Sequence, residues 1–378
     1  MRGLAKQDLI DVAYGATFLG SGGGGTLSTT LEMIDRWFPA DGRVNLLGVE
    51  EAVADAESAT AVVTFIGSPA ANRELTDLTP AIRATELLGR TLERRHGLRL
   101  GQTLAVELGV QSSAVVHLLV ARALGLDAVD GDGVGRAVPW LAATTFAGAE
   151  VPTGPAVLAS AEASHLLVEE SDPETVQAIA SRVIPGPPFD GVAGLALWPM
   201  DGEALVRALP PTGGTRGTVG LAAALGRLLV EGREEIESRL IDVLERHGVR
   251  ATMVFRGRLE RVHQVSSADH LVLELVGDDG SSATCHSASE NLVFRLAGRP
   301  IVVAPDSICA LTADGRPISN TELPPLGTRV VFFAVEARPI LRENPRLVRV
   351  FRRMTDEVGY SGGHVPFGSA PQPSHAAL

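Results

Sequence analysis

Apolar residues recur along this chain with two different periods, and the change from one to the other divides the sequence. Residues 61–66 (AVVTFI) and 102–108 (QTLAVEL) are short apolar runs that end in turn residues, and 128–130 (AVD) reads the same way. Between them, 74–95 is polar with helical character, and 112–124 (SSAVVHLLVARAL) carries helical spacing with a serine placed to cap it. Strand, loop and helix repeated in this order predict an α/β fold with a mainly parallel sheet. Ligands collect at the carboxyl ends of such strands. Here those ends hold Gly67-Ser68, Glu107-Leu108-Gly109 and residues 130–136.

Beyond residue 250 the period becomes that of strands. Residues 252–262, 270–276, 291–296, 300–303 and 328–335 alternate or are β-branched, with Gly/Asp turns such as 277–280 between them. They predict a β-rich domain. The run 184–188 (IPGPP) is rigid and turn-like, and a long helix is expected from about 219 to 247. The expected organisation is an α/β domain over 1–185, a mixed, β-rich domain over 186–367, and a frayed Pro/Ser/Ala-rich tail over 368–378. No internal repeat is visible.

One stretch breaks both periods. Residues 19–38 read LGSGGGGTLSTTLEMIDRWF, with Gly22, Gly23, Gly24 and Gly25 between an apolar segment and a helix whose apolar face is Leu31, Ile34 and Trp37/Phe38. Glycine costs backbone entropy, so an ordered run of it marks a backbone that approaches something closely. Thr26, Ser28 or Thr29 can cap the helix. A glycine turn feeding a helix N-terminus suits a phosphate, a carboxylate or a developing oxyanion. The alternative is a tight structural turn. No Lys-Ser/Thr pair follows, so this is not a P-loop, and a G-x-G-x-x-G match inside a glycine run is weak.

Composition narrows the function classes. A chain of 378 residues, 45% hydrophobic and 21% charged, has ample core for two domains. A formal net charge of -12 disfavours nucleic acid and anionic membranes as partners and says nothing positive about the substrate. The N-terminus places charges where a signal peptide needs an apolar segment, and no run is long enough to span a bilayer, which predicts a cytoplasmic protein. Abundant Ala, Gly and Arg with few Lys fit a GC-rich bacterial source.

The sharpest chemical segment is 130–139, DGDGVGRAVP. Asp130 and Asp132, two apart, point the same way if the backbone stays extended. Two close carboxylates share a proton, giving an acid/base group, or bind a cation. Arg136 pairs with one of them or holds a substrate carboxylate. The alternative is an Asx-turn with a structural Asp–Arg pair. Glu107 follows apolar residues and needs a partner if buried. Asp130, Asp132 and Glu107 are also the candidate ligands if a divalent metal is used. Ala304-Pro305-Asp306 reads as a turn. Cys285 and Cys309 make no disulfide framework, and Cys285-His286 is no catalytic pair, since neighbours on a strand face opposite ways. His117 reads as a core histidine. Residues 360–364 (YSGGH) can fold back over a site; the alternative is a tail without a role.

Taken together, LGSGGGGT (19–26), ELG (107–109), DGDGVGRAVP (130–139), SENL (289–292) and APDSI (304–308) resemble the S-methyl-thiohydantoin desulfurase-like family, in the family's order and over nearly the whole chain. The resemblance implies a three-layer N-terminal α/β domain, a C-terminal β domain, a homo-oligomer, and action on a five-membered cyclic amide or thioamide-like ring. By position it gathers the glycine loop, Glu107, Asp130, Asp132, Arg136, Glu290 and Asn291 at the site. Ser68, Gly109 and Trp140 are added as substrate-binding candidates. The chain departs from the family's pattern at three places. Trp140 replaces an acidic residue after the proline, Thr26-Leu27 replaces Asp-Pro after the glycines, and Val110-Gln111-Ser112 replaces Gly-x-Asn.

The expected activity is hydrolysis of a hydantoin or S-methyl-thiohydantoin-like ring. Asp130 or Asp132 would activate water, directly or through a metal, the glycine amides would hold the oxyanion, and Arg136 would orient an anionic substituent. The alternatives are a ring-forming or rearranging enzyme, for which Trp140 makes a drier site, and a non-catalytic binding subunit.

Overall fold

A computed structural model of the protein describes residues 1–67, 75–169, 172–232, 234–265 and 270–368. Two sheets organise them. The first has eight strands: β1 (Arg2–Leu4), β2 (Val44–Leu47), β3 (Ser58–Gly67), β4 (Arg99–Ala105), β5 (Asp127–Asp132), β6 (Ala156–Ala159), β7 (His165–Val168) and β8 (Val192–Met200). Their order is β1-β2-β5-β4-β3-β8-β6-β7. The pairs β2–β5, β5–β4 and β4–β3 are parallel, as the strand–helix alternation predicts. The remaining pairs are antiparallel, so the sheet is mixed rather than mainly parallel. Alternate residues of β3 show why both faces must be covered: Val62 enters one apolar cluster and Val63 another.

Five of the helices matter for the site: α1 (Lys6–Leu19), α2 (Leu27–Trp37), α3 (Thr79–His96), α4 (Val116–Leu124) and α5 (Thr218–Glu231). The helix expected over 219–247 is two, because Gly232 at φ +58 closes α5, and a second helix, α6, follows at Ile236–Arg246. The proline run at 184–188 does not separate the sheets either. β8, which follows it, lies between β3 and β6 in the first sheet.

The second sheet is antiparallel and has seven strands: β9 (Ala251–Gln264), β10 (His270–Gly277), β11 (Ser282–Ala288), β12 (Glu290–Leu296), β13 (Arg299–Val303), β14 (Ser307–Thr312) and β15 (Arg329–Val335), in the order β13-β12-β11-β10-β9-β15-β14. It curls until β12 touches β14. One further helix, α7 (Pro345–Glu357), packs against it. The two sheets share a core: Cys309, Leu311, Val331 and Phe333 belong to the cluster that holds α1, α4 and α5. Phe18 and Phe333 meet edge to face across the joint, with ring centroids 5.6 Å apart.

The closest helix crossing is α1 on α5. A Cβ on Gly226 would lie 1.7 Å from the Asp11 carbonyl oxygen, and one on Gly15 would lie 1.8 Å from that of Ala222. Both are backbone atoms, which have nowhere to yield. Gly226→Ala is therefore expected to force the helices apart and destabilise the fold by about 3 kcal/mol. A urea midpoint unchanged from the parent would contradict that packing.

Candidate functional site

The carboxyl ends of β3, β4 and β5 lie side by side; the segment that follows β4 meets the glycine loop there, and Leu108 in it donates to the Arg136 carbonyl of the segment that follows β5. Gly24 accepts backbone bonds from Gln111 and Ser112, at 2.8 and 3.2 Å. A Cβ on Gly24, at φ +76, would sit 2.3 Å from the Cα of Gly109, and one on Gly23 would sit 2.2 Å from Oε1 of Glu290. The four glycines therefore bring the loop against the chain's own backbone and acids, from both sheets at once.

The helix N-terminus after the glycines is occupied from within the chain. Glu322 accepts from the amides of Leu27, at 2.7 Å, and Ser28, at 3.4 Å, and also from the Ser28 hydroxyl. Gln111 Oε1 takes the Thr26 amide at 3.0 Å. The expected anion position on α2 is thus filled by a carboxylate of the second half of the chain.

Glu107 lies beneath this loop, buried at 6% exposure. Its Oε1 accepts the Ser112 hydroxyl at 2.7 Å, and its Oε2 accepts the Val138 amide at 2.5 Å. Burial raises its carboxyl to about 7, against the pull of the Val138 amide and the Ser112 hydroxyl, with the Asp132 charge adding to the rise and Arg136 opposing it. Ser112 sits on a π-helical turn, Val110–Ala114, and not on the straight helix that the spacing suggested. By its place before an apolar helical run this serine reads as a cap; its bond to Glu107, five residues earlier, is not announced by any local pattern.

The two aspartates serve α5 and their own loop. Asp130 Oδ1 accepts the Gly220 amide at 2.9 Å, so this carboxylate caps the first turn of α5. Burial raises its carboxyl from the ordinary value and the Gly220 amide opposes the rise. Asp132 is fully buried, and its Oδ2 accepts the amides of Val134 and Gly135 at 2.8 and 2.7 Å, an Asx-turn. Burial raises it to about 6, while the Thr218 hydroxyl and those two amides hold it down.

Arg136 departs most from expectation. It is 3% exposed and donates to four carbonyls: Nε to Ala137 at 3.1 Å, Nη1 to Pro305 at 3.2 Å and Asp306 at 3.0 Å, and Nη2 to Asn291 at 2.7 Å. Burial disfavours its charge, and the Glu290 carboxylate is the strongest group opposing that. The guanidinium thus ties the loop after β5 to strand β12 and to the loop between β13 and β14. Asn291 belongs to the same knot: its Oδ1 accepts the Ser287 hydroxyl and its Nδ2 donates to Ile308, each at 2.9 Å. Trp140, half-buried, lies under the Arg353 guanidinium at 5.2 Å. Ser68 lies outside the described residues.

Among the described residues no group of three His, Cys, Asp or Glu side chains converges to hold a metal, so Asp130, Asp132 and Glu107 do not form a ligand set. Burial raises the thiols of Cys285 and Cys309 to about 12, leaving both unreactive. His117, fully buried, bonds the Ser113 carbonyl at 3.1 Å as a core histidine. The C-terminal segment does fold back: His364 pairs with buried Asp306 at 3.0 Å, beside the carbonyl that Arg136 binds. A cavity of about 20 Å³, room for roughly one water, lies in the joint among Gly135, Arg136, Thr218, Ser307 and Arg338. A larger groove, about 260 Å³, lies at the opposite end of β4, between α3 and Arg99.

Family models match nearly the whole chain: the S-Me-THD-like N-terminal domain over residues 7–170 and the S-Me-THD-like C-terminal domain over residues 174–355. Among solved structures, the chain is similar to the X-ray crystal structure of a protein from Chromobacterium violaceum, with 28% sequence identity and a TM-score of 0.84. The match covers 97% of this chain and 100% of that one. No curated protein is significantly similar to it. No helix of the described residues is long and apolar enough to cross a membrane.

Proposed function

The chain belongs to the S-Me-THD-like family, and from that premise we propose an enzyme that hydrolyses a small ring of the hydantoin or S-methyl-thiohydantoin type, with Glu107 as the proton acceptor. The observation that carries the reading is Glu107 itself. It is a buried carboxyl raised to about 7, held by one amide, bonded to one hydroxyl and placed under a glycine-lined loop. A base of that strength accepts a proton at neutral pH and can return it.

On an S-methylated ring, a hydroxyl oxygen adds to the carbon that bears the methylthio group, and its proton passes to Glu107. The C–S bond then breaks and the departing sulfur takes the proton. One water is consumed overall, and the products are the ring carbonyl and a thiol. Asp130 and Asp132 have structural partners in this reading, and no step runs through a metal. The proposal keeps the cytoplasmic, homo-oligomeric setting expected from the sequence.

The test is mass spectrometry of the purified protein with hydantoins, thiohydantoins, S-methyl-thiohydantoins and lactams. Ring carbonyl and thiol are expected from the S-methylated ring. If no ring is turned over, the hydrolase reading falls and the ring-forming alternative takes its place.

A further inference from the structure

We propose that Ser112 is the attacking hydroxyl, a serine nucleophile activated by Glu107, so that the reaction passes through a covalent bond between Ser112 Oγ and the substrate carbon. The proposal deepens the hydrolase reading and rests on Glu107 being its base.

Three features of the site support it. The Ser112 hydroxyl points its proton at Oε1 of Glu107 across 2.7 Å, which is the contact a nucleophile needs with its base. The base is oriented in turn by a third group, the Val138 amide on its other oxygen at 2.5 Å. That completes nucleophile, base and orienting donor in one line. Glycine lets the backbone lie directly against the pair: a Cβ on Gly109 would lie 2.1 Å from Ser112 Oγ and 2.3 Å from Glu107 Oε1, so any side chain there would strike both. Ser112 itself is half-buried, whereas Glu107 is enclosed, so the serine is the more accessible member of the pair.

The backbone fixes Ser112 independently of its side chain. Its amide donates to Gly24 at 3.2 Å, and its carbonyl accepts the Thr64 hydroxyl at 3.0 Å. A π-helical turn, the local irregularity that recurs at functional sites, presents it.

The step balances without a co-reactant beyond water. Ser112 Oγ bonds the electrophilic carbon and its proton goes to Glu107. The leaving thiolate departs with that proton. Water then attacks the same carbon, giving one proton to Glu107, and the Oγ–carbon bond breaks as Ser112 recovers it.

The experiment uses the full chain with two readouts. The first is labelling by a fluorophosphonate, a serine-directed probe that needs no knowledge of the substrate, located by peptide mass spectrometry. Label is expected on Ser112 in the parent, and is expected to be lost in Ser112→Ala and in Glu107→Gln. The second is turnover of S-methyl-thiohydantoin, expected to fall at least ~10³-fold in Ser112→Ala. Ser112→Ala keeps the two backbone bonds above, so it should fold, and its melting temperature checks that.

No label on Ser112 in the parent overturns the proposal. So does a Ser112→Ala variant that turns over the ring within about tenfold of the parent, since water then attacks directly while the hydrolase reading stands. Labelled Ser112 with no ring turned over keeps the nucleophile and removes the hydantoin reading.

Discussion

Glu107→Gln is expected to lower turnover by about 10²–10⁴-fold and at the same time to make the folded protein more stable above pH 7. The two effects have one cause. Burial lifts the Glu107 carboxyl from its ordinary 4.5 to about 7. Between those values the folded chain keeps a proton that the unfolded chain has released. Stability must then fall as pH rises through that window, and the loss is complete above about 7. Glutamine has no proton to lose. Its oxygen can still accept the Val138 amide, and its amide can donate to the Ser112 hydroxyl.

The variant should therefore escape the decline and gain as much as about 3 kcal/mol at pH 8. The parent's kcat/KM should rise with pH and level off above about 7, because the base must be ionised to accept a proton. Urea titrations at pH 5 and pH 8 and a pH–rate profile check both halves. Equal pH dependence of stability in parent and variant would show that Glu107 is not held protonated by its burial. A base raised this way costs stability in order to work near neutrality, a common exchange at active sites.

The second large effect is structural. Arg136→Ala should cost about 3–5 kcal/mol and leave little soluble protein. The guanidinium serves four carbonyls and faces the Glu290 carboxylate, all in buried surroundings. Removing it leaves those carbonyls without their donor and an acid without its countercharge. Arg136→Lys should rescue little, because one ammonium with three protons cannot reproduce a planar fork aimed at carbonyls on three separate segments. The denaturation midpoint reads the effect. A Lys variant as stable as the parent would mean that charge alone matters and the fork does not.

The arginine also shows what a sequence hides. Beside two aspartates on a glycine loop, Arg136 reads as a substrate clamp. Its actual partners, Asn291, Pro305 and Asp306, lie about half the chain away, and no local pattern announces them. Asp130 and Asp132 look like a pair for the same reason, although one is engaged by the Gly220 amide and the other by its own turn. Local patterns do carry many of the elements. The apolar runs at 61–66 and 128–130 are strands, as are the alternating segments after 250. Helix length failed at Gly232, where left-handed backbone at Gly232 and Glu235 ends one helix and starts the next. The glycine run marks a place of close approach, here to the chain's own Gly109 and Glu290. What it approaches became visible only once the two sheets were joined.

That joining bears on how such a chain can be inherited. β8 comes from the part of the sequence that matches the C-terminal family model, yet it fills the gap between β3 and β6 of the other part. α5, which lies tightest against α1, has the same origin. A gene encoding only the first part would specify a sheet with a missing rib, its β6–β7 hairpin cut off from β3. The halves are thus complementary fragments of one folding unit, not modules free to be shuffled, and evolution is constrained to pass them on together.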